Sequence, residues 1–460
     1  MSDLRNQALE YAHQNSAAYL QSLQSLVQIP SISTSVDHKK AIKETAEWLA
    51  DRLRKIGFKN VALYPTAGHP VVFGEYIIDR PGRKTVLIYG HYDVQPVEPL
   101  EQWKTNPFEA TVVGDNLFGR GASDMKGQIM ASMDAVEAVI HAGEPPVNIK
   151  FMIEGEEEIG SPNLGPFLKE KAKLLAADVV LNPDSGMLAA DFPTLTYALR
   201  GLAYFELRVY GPEHDLHSGL FGGAVHNPAQ ALAELIAGMH DADGRVTLPG
   251  YYDSVREMKP AEREDMARLP LNDDFYKAQT GAPELCGEKG YTAAERIGAR
   301  PTLEVNGLLS GFTGQGSKTV IPAWAMAKIS MRLVPDQDPE EVYHQFIEYL
   351  KLKAPPTIRW EVIRMSGGPA SFTDPNHPAA RAMSQAMETV WGKRPVFRRE
   401  GGSIPIVSDM QETLGIESVL TGFGLPEDNV HAPNEKLHLP TWYRGIDSLI
   451  LFFYNYGAQE

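Results

Sequence analysis

Thr85-Val86-Leu87-Ile88-Tyr89 is apolar without alternation and runs straight into Gly90-His91-Tyr92-Asp93. An unbroken apolar run of strand length belongs to a β-strand covered on both faces, which restricts the chain to a layered α/β arrangement. Its surroundings agree. Ala41, Ile42, Thr45, Trp48, Leu49, Leu53 and Ile56 recur at helical spacing, and Gly57 stands where a helix stops. Residues 125–142 read as a helix ending at Gly143, and 147–153 and 178–181 read as further strands. This succession predicts an α/β domain with a mostly parallel sheet and helices on both faces.

The pattern changes near Tyr197. Residues 203–210 alternate as a half-buried strand does, and Asn227-Pro228 opens a helix reaching about position 240. The segment 241–300 is polar and punctuated by Pro and Gly, and reads as an excursion with short helices. Strands at 302–305, 325–334 and 357–364 with a helix at 339–350 give an α+β pattern with one exposed sheet face. The earlier style returns from Val396, with a strand at 418–421 and a helix at 440–454. The chain of 460 residues fits two domains. The expected division is 1–196 with 399–460 for a discontinuous first domain, and 197–398 for an α+β domain inserted into it.

Charge narrows the function. The 43 basic and 59 acidic side chains leave a net −16, which argues against a general nucleic-acid or anionic-membrane surface. No apolar run reaches the ~20 residues of a membrane span. Residues 1–10 lack the apolar core of a secretory signal. The single cysteine, Cys286, excludes an intramolecular disulfide and a thiolate cluster; a reducing cytoplasm, the expected compartment, fits this count, as would a Cys-poor exported protein.

Chemistry-bearing residues gather at the ends of the predicted strands, where open α/β sheets bind ligands. His91 and Asp93 follow the first strand and point the same way if extension persists. Asp124 sits in the glycine-rich run Gly119-Arg120-Gly121-Ala122-Ser123-Asp124-Met125-Lys126-Gly127, where a helix N-cap is the plain alternative. Glu154, Glu156, Glu157 and Glu158 crowd the end of the next strand, as either a charged surface loop or a site compensated by cations. Asp184 lies in Asn182-Pro183-Asp184-Ser185-Gly186, equally readable as a turn, and His431 in a loop after the strand at 418–421. Together, imidazoles and carboxylates at strand ends form a donor set suited to Zn²⁺ or Mn²⁺.

These motifs resemble the M20 family of metallopeptidases, and within it the carnosinase-like cytosolic dipeptidases. The resemblance runs over nearly the whole chain. It comprises Leu26-Val27-Gln28-Ile29-Pro30-Ser31-Ile32-Ser33, Gly90-His91-Tyr92-Asp93-Val94-Gln95-Pro96, the run from Gly119 to Gly127 and Glu157-Glu158-Ile159-Gly160-Ser161. Leu216-His217-Ser218-Gly219, Lys318-Thr319-Val320-Ile321-Pro322, Arg399-Glu400-Gly401-Gly402-Ser403-Ile404-Pro405 and the His431 segment complete it. The last three favour the dipeptidase branch.

The resemblance implies two divalent metal ions per subunit, Zn²⁺ foremost and Mn²⁺ compatible. Asp124 bridges them, His91 and Asp184 complete one site, and Glu158 and His431 the other. Glu157 is the implied general base and Asp93 the support of His91; Gly160-Ser161 sets the register of the glutamate pair. The inserted domain is implied to act as a dimerisation and lid domain. From it His217 reaches the partner subunit's site in a homodimer, and Thr319 and Arg332 of the insert, with Ser403 of the first domain, recognise the terminal carboxylate of a small peptide. The expected activity is cleavage of the amide bond in dipeptides. The alternatives are an N-acyl amino acid deacylase or a carboxypeptidase with the same ligands, or a binding protein with a relic site. The relic is disfavoured because no ligand position or base is substituted.

Overall fold

In the computed structural model, which describes residues 2–402 and 405–459, the first apolar run becomes the strand Thr85–His91, its residues from Val86 onward buried. It lies between two parallel neighbours, Asn148–Glu154 with His91 opposite Glu154, and Val179–Asn182 with Ile88 opposite Leu181. Ser418–Leu420 adds a further parallel strand beside Val179–Asn182. This parallel centre is extended on one side by the antiparallel strands Val71–Tyr76 and Lys59–Tyr64, and on the other by Thr194–Leu199. Helices cover both sides of the sheet, as the βα succession predicts.

The helix Lys39–Ile56 buries Ile42, Thr45, Leu49, Leu53 and Ile56 and stops at Gly57, whose φ of 108° suits glycine. Lys126–Ala142 is buried almost all round. Ser2–Gln14, Ser16–Val27 and the C-terminal helix Leu439–Gly457 pack on it. Trp442 of the last helix is fully buried and donates its indole N–H to the Gly127 carbonyl at 2.7 Å. Truncating a buried Trp of this kind costs about 3–5 kcal/mol. The helix Pro378–Trp391, which the sequence reading did not single out, also packs on Leu439–Gly457.

The chain divides into two compact units. The first comprises Met1–Tyr197, Thr373–Phe397 and Asp409–Glu460, and the second Ala198–Phe372 and Arg398–Ser408. The second is built on a four-stranded antiparallel sheet in the order Thr302–Ser310, Trp324–Leu333, Gly201–Tyr210, Arg359–Gly368. Ala325, Ala327, Ile329, Met331 and Leu333 alternate onto one face. They share a core with Phe205, Leu207, Leu232, Leu235, Phe346 and Tyr349, the last four from the helices Pro228–Ala237 and Pro339–Lys353. The 241–300 excursion holds short helices at Pro260–Ala267, Asp273–Thr280 and Ala293–Ala299. Arg300 ties it together. Its buried guanidinium meets Glu288 through two 2.7 Å hydrogen bonds and lies against the rings of Tyr252 and Tyr291.

Candidate metal centre

Parallel register places the carboxyl ends of three adjacent strands together, and each ends in a chemically active side chain or leads to one. His91 closes Thr85–His91, the glutamate run follows Asn148–Glu154, and Asp184 follows Val179–Asn182. Ser31 secures the first of these ends: its hydroxyl donates to the Tyr92 carbonyl at 2.6 Å, and its own carbonyl accepts from the Val94 N–H. Asp124 arrives from the loop preceding Lys126–Ala142, and His431 from the loop after Ser418–Leu420.

These side chains converge within the first unit. His91 is fully buried, and its Nε2 lies 3.1 Å from Asp124 Oδ1, 3.9 Å from Glu157 Oε2 and 4.0 Å from Asp184 Oδ1. The other oxygen of Asp124, Oδ2, is 3.0 Å from His431 Nε2, which is 3.1 Å from Glu158 Oε2. Asp124 thus presents one oxygen to each histidine. Two groups result, His91–Asp124–Asp184 and Asp124–Glu158–His431, with ligand atoms inside 4.8 Å in each. Glu157 stands beside them and belongs to neither.

Asp93 supports the cluster in two ways. The His91 Nδ1 side faces its backbone carbonyl at 3.1 Å and its carboxylate at 3.4 Å. The carboxylate also accepts from the backbone N–H groups of Glu157, at 3.2 Å, and Glu158, at 3.1 Å. One residue therefore orients an imidazole and fixes the backbone of the glutamate pair.

The electrostatics express an excess of negative charge. Burial opposes a charged His91, yet its hydrogen bonds to Asp124 and Asp93 hold its pKa well above the ordinary value. Hydrogen bonds to Asp124 and Glu158 lift His431 to about 10. Burial pushes Asp184 well up. Burial also takes Glu157 to about 7, with His91 opposing and Asp124, Glu158 and Asp93 assisting. Asp124 is held low because its hydrogen bonds to His431 and His91 outweigh burial. Among the described residues, the ion pairs of these carboxylates are all with His91 and His431. Nitrogen and oxygen donors balanced only by protonated imidazoles fit divalent cations, which displace those protons on binding.

The remaining candidates lie in the second unit. His217 is exposed, pairs with Val320, and accepts the Gly219 N–H on Nδ1 at 3.0 Å. Thr319 is exposed and directly precedes the paired Val320, its carbonyl accepting from the Ser218 N–H. Arg332 is half-buried on Trp324–Leu333, in register with Thr302 and Leu202. Ser403 lies outside the described residues.

Three participants escaped the sequence reading. Gln95 donates to Glu158 Oε2 at 2.8 Å, and its place two residues beyond Asp93 was the available signal. Glu435 organises the Asp124 loop, and closes the His431 segment in sequence. Arg200 has no such signal; burial and the neighbouring Arg332 push its guanidinium down to about 10.

Known proteins resemble this chain over most of its length. A family model described as Peptidase family M20/M25/M40 matches residues 87–455. A Cys-Gly metallodipeptidase of Candida albicans is 32% identical over 461 residues, covering 95% of this chain and 94% of the relative. The human Beta-Ala-His dipeptidase is 33% identical over 393 residues, covering 84% and 77%. Among solved structures, an M20 family metallo-carboxypeptidase from Sulfolobus solfataricus superposes with a TM-score of 0.83 at 35% identity, covering 96% of this chain and 99% of that one.

Proposed function

The chain belongs to peptidase family M20/M25/M40, and from that premise we propose that it hydrolyses the amide bond of dipeptides at the Asp124-centred cluster. The observation that carries this reading is the division of labour among the carboxylates. Asp124 faces both histidines, whereas Glu157 adjoins the cluster and stays outside both ligand groups. A carboxylate so placed, beside the cluster and free of both ligand groups, is poised as a general base.

His91, Asp124 and Asp184 would hold one cation and Asp124, Glu158 and His431 the other, Zn²⁺ by preference with Mn²⁺ also compatible. Bound there, two such cations would supply Lewis acidity for the scissile carbonyl and would bring the pKa of water from ~15.7 to about 7. Glu157 takes the proton from the attacking water and delivers it to the leaving amine. Asp93 holds His91 and the Glu157–Glu158 backbone through both events. Arg332, with Thr319 and Ser403, grips the peptide's terminal carboxylate, a task suited to the planar guanidinium fork. His217 donates to the developing oxyanion from the partner subunit of a homodimer. In this assignment the second unit, which takes up most of the expected insert 197–398, serves dimerisation and closure, and the enzyme works in the cytoplasm.

A carboxypeptidase acting on longer peptides is the second reading, favoured by the 35% identity to the Sulfolobus metallo-carboxypeptidase. A hydrolysis panel separates the two. Free dipeptides are expected to turn over fastest; faster cleavage of longer peptides, or of N-acyl amino acids, would replace dipeptidase activity with the corresponding alternative.

A further inference from the structure

The loops carrying Asp124 and His431 meet on one buried carboxylate. Glu435 is 1% exposed. Its Oε1 accepts from the backbone N–H groups of Ser123, at 3.0 Å, and Asp124, at 3.1 Å. Its Oε2 accepts from the Gly121 N–H at 2.9 Å and from Arg120 Nη1 at 2.8 Å, and its carbonyl accepts from the Gly119 N–H at 3.0 Å. One carboxylate therefore gathers three backbone N–H groups of the glycine-rich loop, those of Gly121, Ser123 and Asp124. Gly121 has a φ of 82°, and a Cβ there would meet Val94 at 2.5 Å, so the loop has little room for another path.

The His431 side is held as closely. Asp428 accepts from the Ser123 hydroxyl at 2.9 Å and the Leu425 N–H at 2.8 Å. Asn434 accepts from the Lys104 N–H at 2.7 Å and donates to the Gln102 carbonyl at 2.9 Å. Between these ties Asn429, His431 and Asn434 have φ values of 55°, 62° and 65°. Non-glycine residues persist in that region only where their surroundings over-determine the backbone. Glu435 ends this segment and is also the hub of the Asp124 loop.

We propose that Glu435 is a positioning residue that sets the separation of Asp124 and His431, and thereby the cation affinity of the Asp124–Glu158–His431 group. The other group depends on it less. His91 and Asp184 are carried by the parallel strands, and only Asp124 hangs from Glu435. Glutamine cannot replace it: whichever way the amide turns, its NH₂ faces two donors and leaves them without an acceptor. Aspartate keeps the charge and falls short of the donors.

The inference rests on reading the cluster as a two-cation centre, and a Zn²⁺ titration of the chelator-stripped full chain by calorimetry keeps the two ideas apart. Wild type is expected to bind two equivalents. In Glu435→Gln both equivalents should weaken, because Asp124 serves both groups, one of them slightly and the other about 10–100-fold. Glu435→Asp, the variant to use if the glutamine form does not fold, should shift the same way. Asp134→Asn, which changes a buried carboxylate outside the ligand loops, controls for the loss of a buried acidic group as such and should leave both events unchanged. Wild-type affinities in both Glu435 variants, or equal weakening of both equivalents, would overturn the positioning role. A wild-type chain lacking a second equivalent would overturn the two-cation reading itself.

Discussion

Glu157 lies 3.9 Å from His91 Nε2 and is outside both ligand groups, so removing its charge should separate chemistry from cation binding. Glu157→Gln is expected to retain its metal and lower kcat by about 10²–10⁴-fold; near-normal turnover would remove Glu157 from the mechanism. A second residue-scale prediction concerns Asp134, buried among helices beside Arg52, Glu137, Tyr19 and Tyr443. Burial pushes its carboxyl up to about 7 against the pull of Arg52, and its Oδ2 finds no donor among the described residues. The fold thus favours the neutral form. The stability this contributes is complete below the ordinary carboxylate value of ~3.9 and is lost as pH rises through about 7. The unfolding free energy of wild type minus that of Asp134→Asn should accordingly fall between pH 4 and pH 8, as denaturant titration would measure; a flat difference would contradict it. His91, Asp124, Glu158, Asp184 and His431 stood out in the sequence because each ends or follows a strand or precedes a helix. Glu435 and Gln95 did not, because their work is to hydrogen-bond residues that only folding brings near.

At the scale of elements, periodicity served where one face or both are buried. The helix read at 125–142 is observed as Lys126–Ala142, and the strand read at 325–334 as Trp324–Leu333. The strand read at 302–305 continues to Ser310, because Gly307, Leu308 and Leu309 keep pairing with Trp324–Leu333 while alternation fails. The 241–300 segment gave no period because its helices are short and its order comes from the Arg300–Glu288 pair and two tyrosine rings, which no spacing rule encodes. Helix propensity alone is likewise a poor guide to Gly445 in Leu439–Gly457. Alanine is ordinarily better than glycine inside a helix by about 1 kcal/mol. A Cβ at Gly445, however, would meet the Phe423 ring at 2.3 Å. Gly445→Ala is expected to destabilise by about 1–3 kcal/mol, the range for an overpacked core. Thermal unfolding checks the sign, and a raised Tm would show that the two elements are not so closely apposed.

For the whole molecule, sequence foretold a mostly parallel sheet and a second sheet with one exposed face; that the second is antiparallel emerges only in the fold. What the sequence could not supply is assembly. The exposure of His217 on its short ladder, and of Thr319 next to it, suits a role toward a second copy of the chain. Sedimentation at working concentration should therefore find a dimer, and an active monomer would refute the contribution of His217 in trans. The central claim is that a single carboxylate, Asp124, is shared between two cation sites. Metal content after chelation, reconstitution with Zn²⁺ and desalting tests it most directly. The expected result is about two ions per chain in wild type, about one in His91→Ala and almost none in Asp124→Ala. An Asp124→Ala chain that keeps two ions, or a wild type holding fewer than about one, would contradict it.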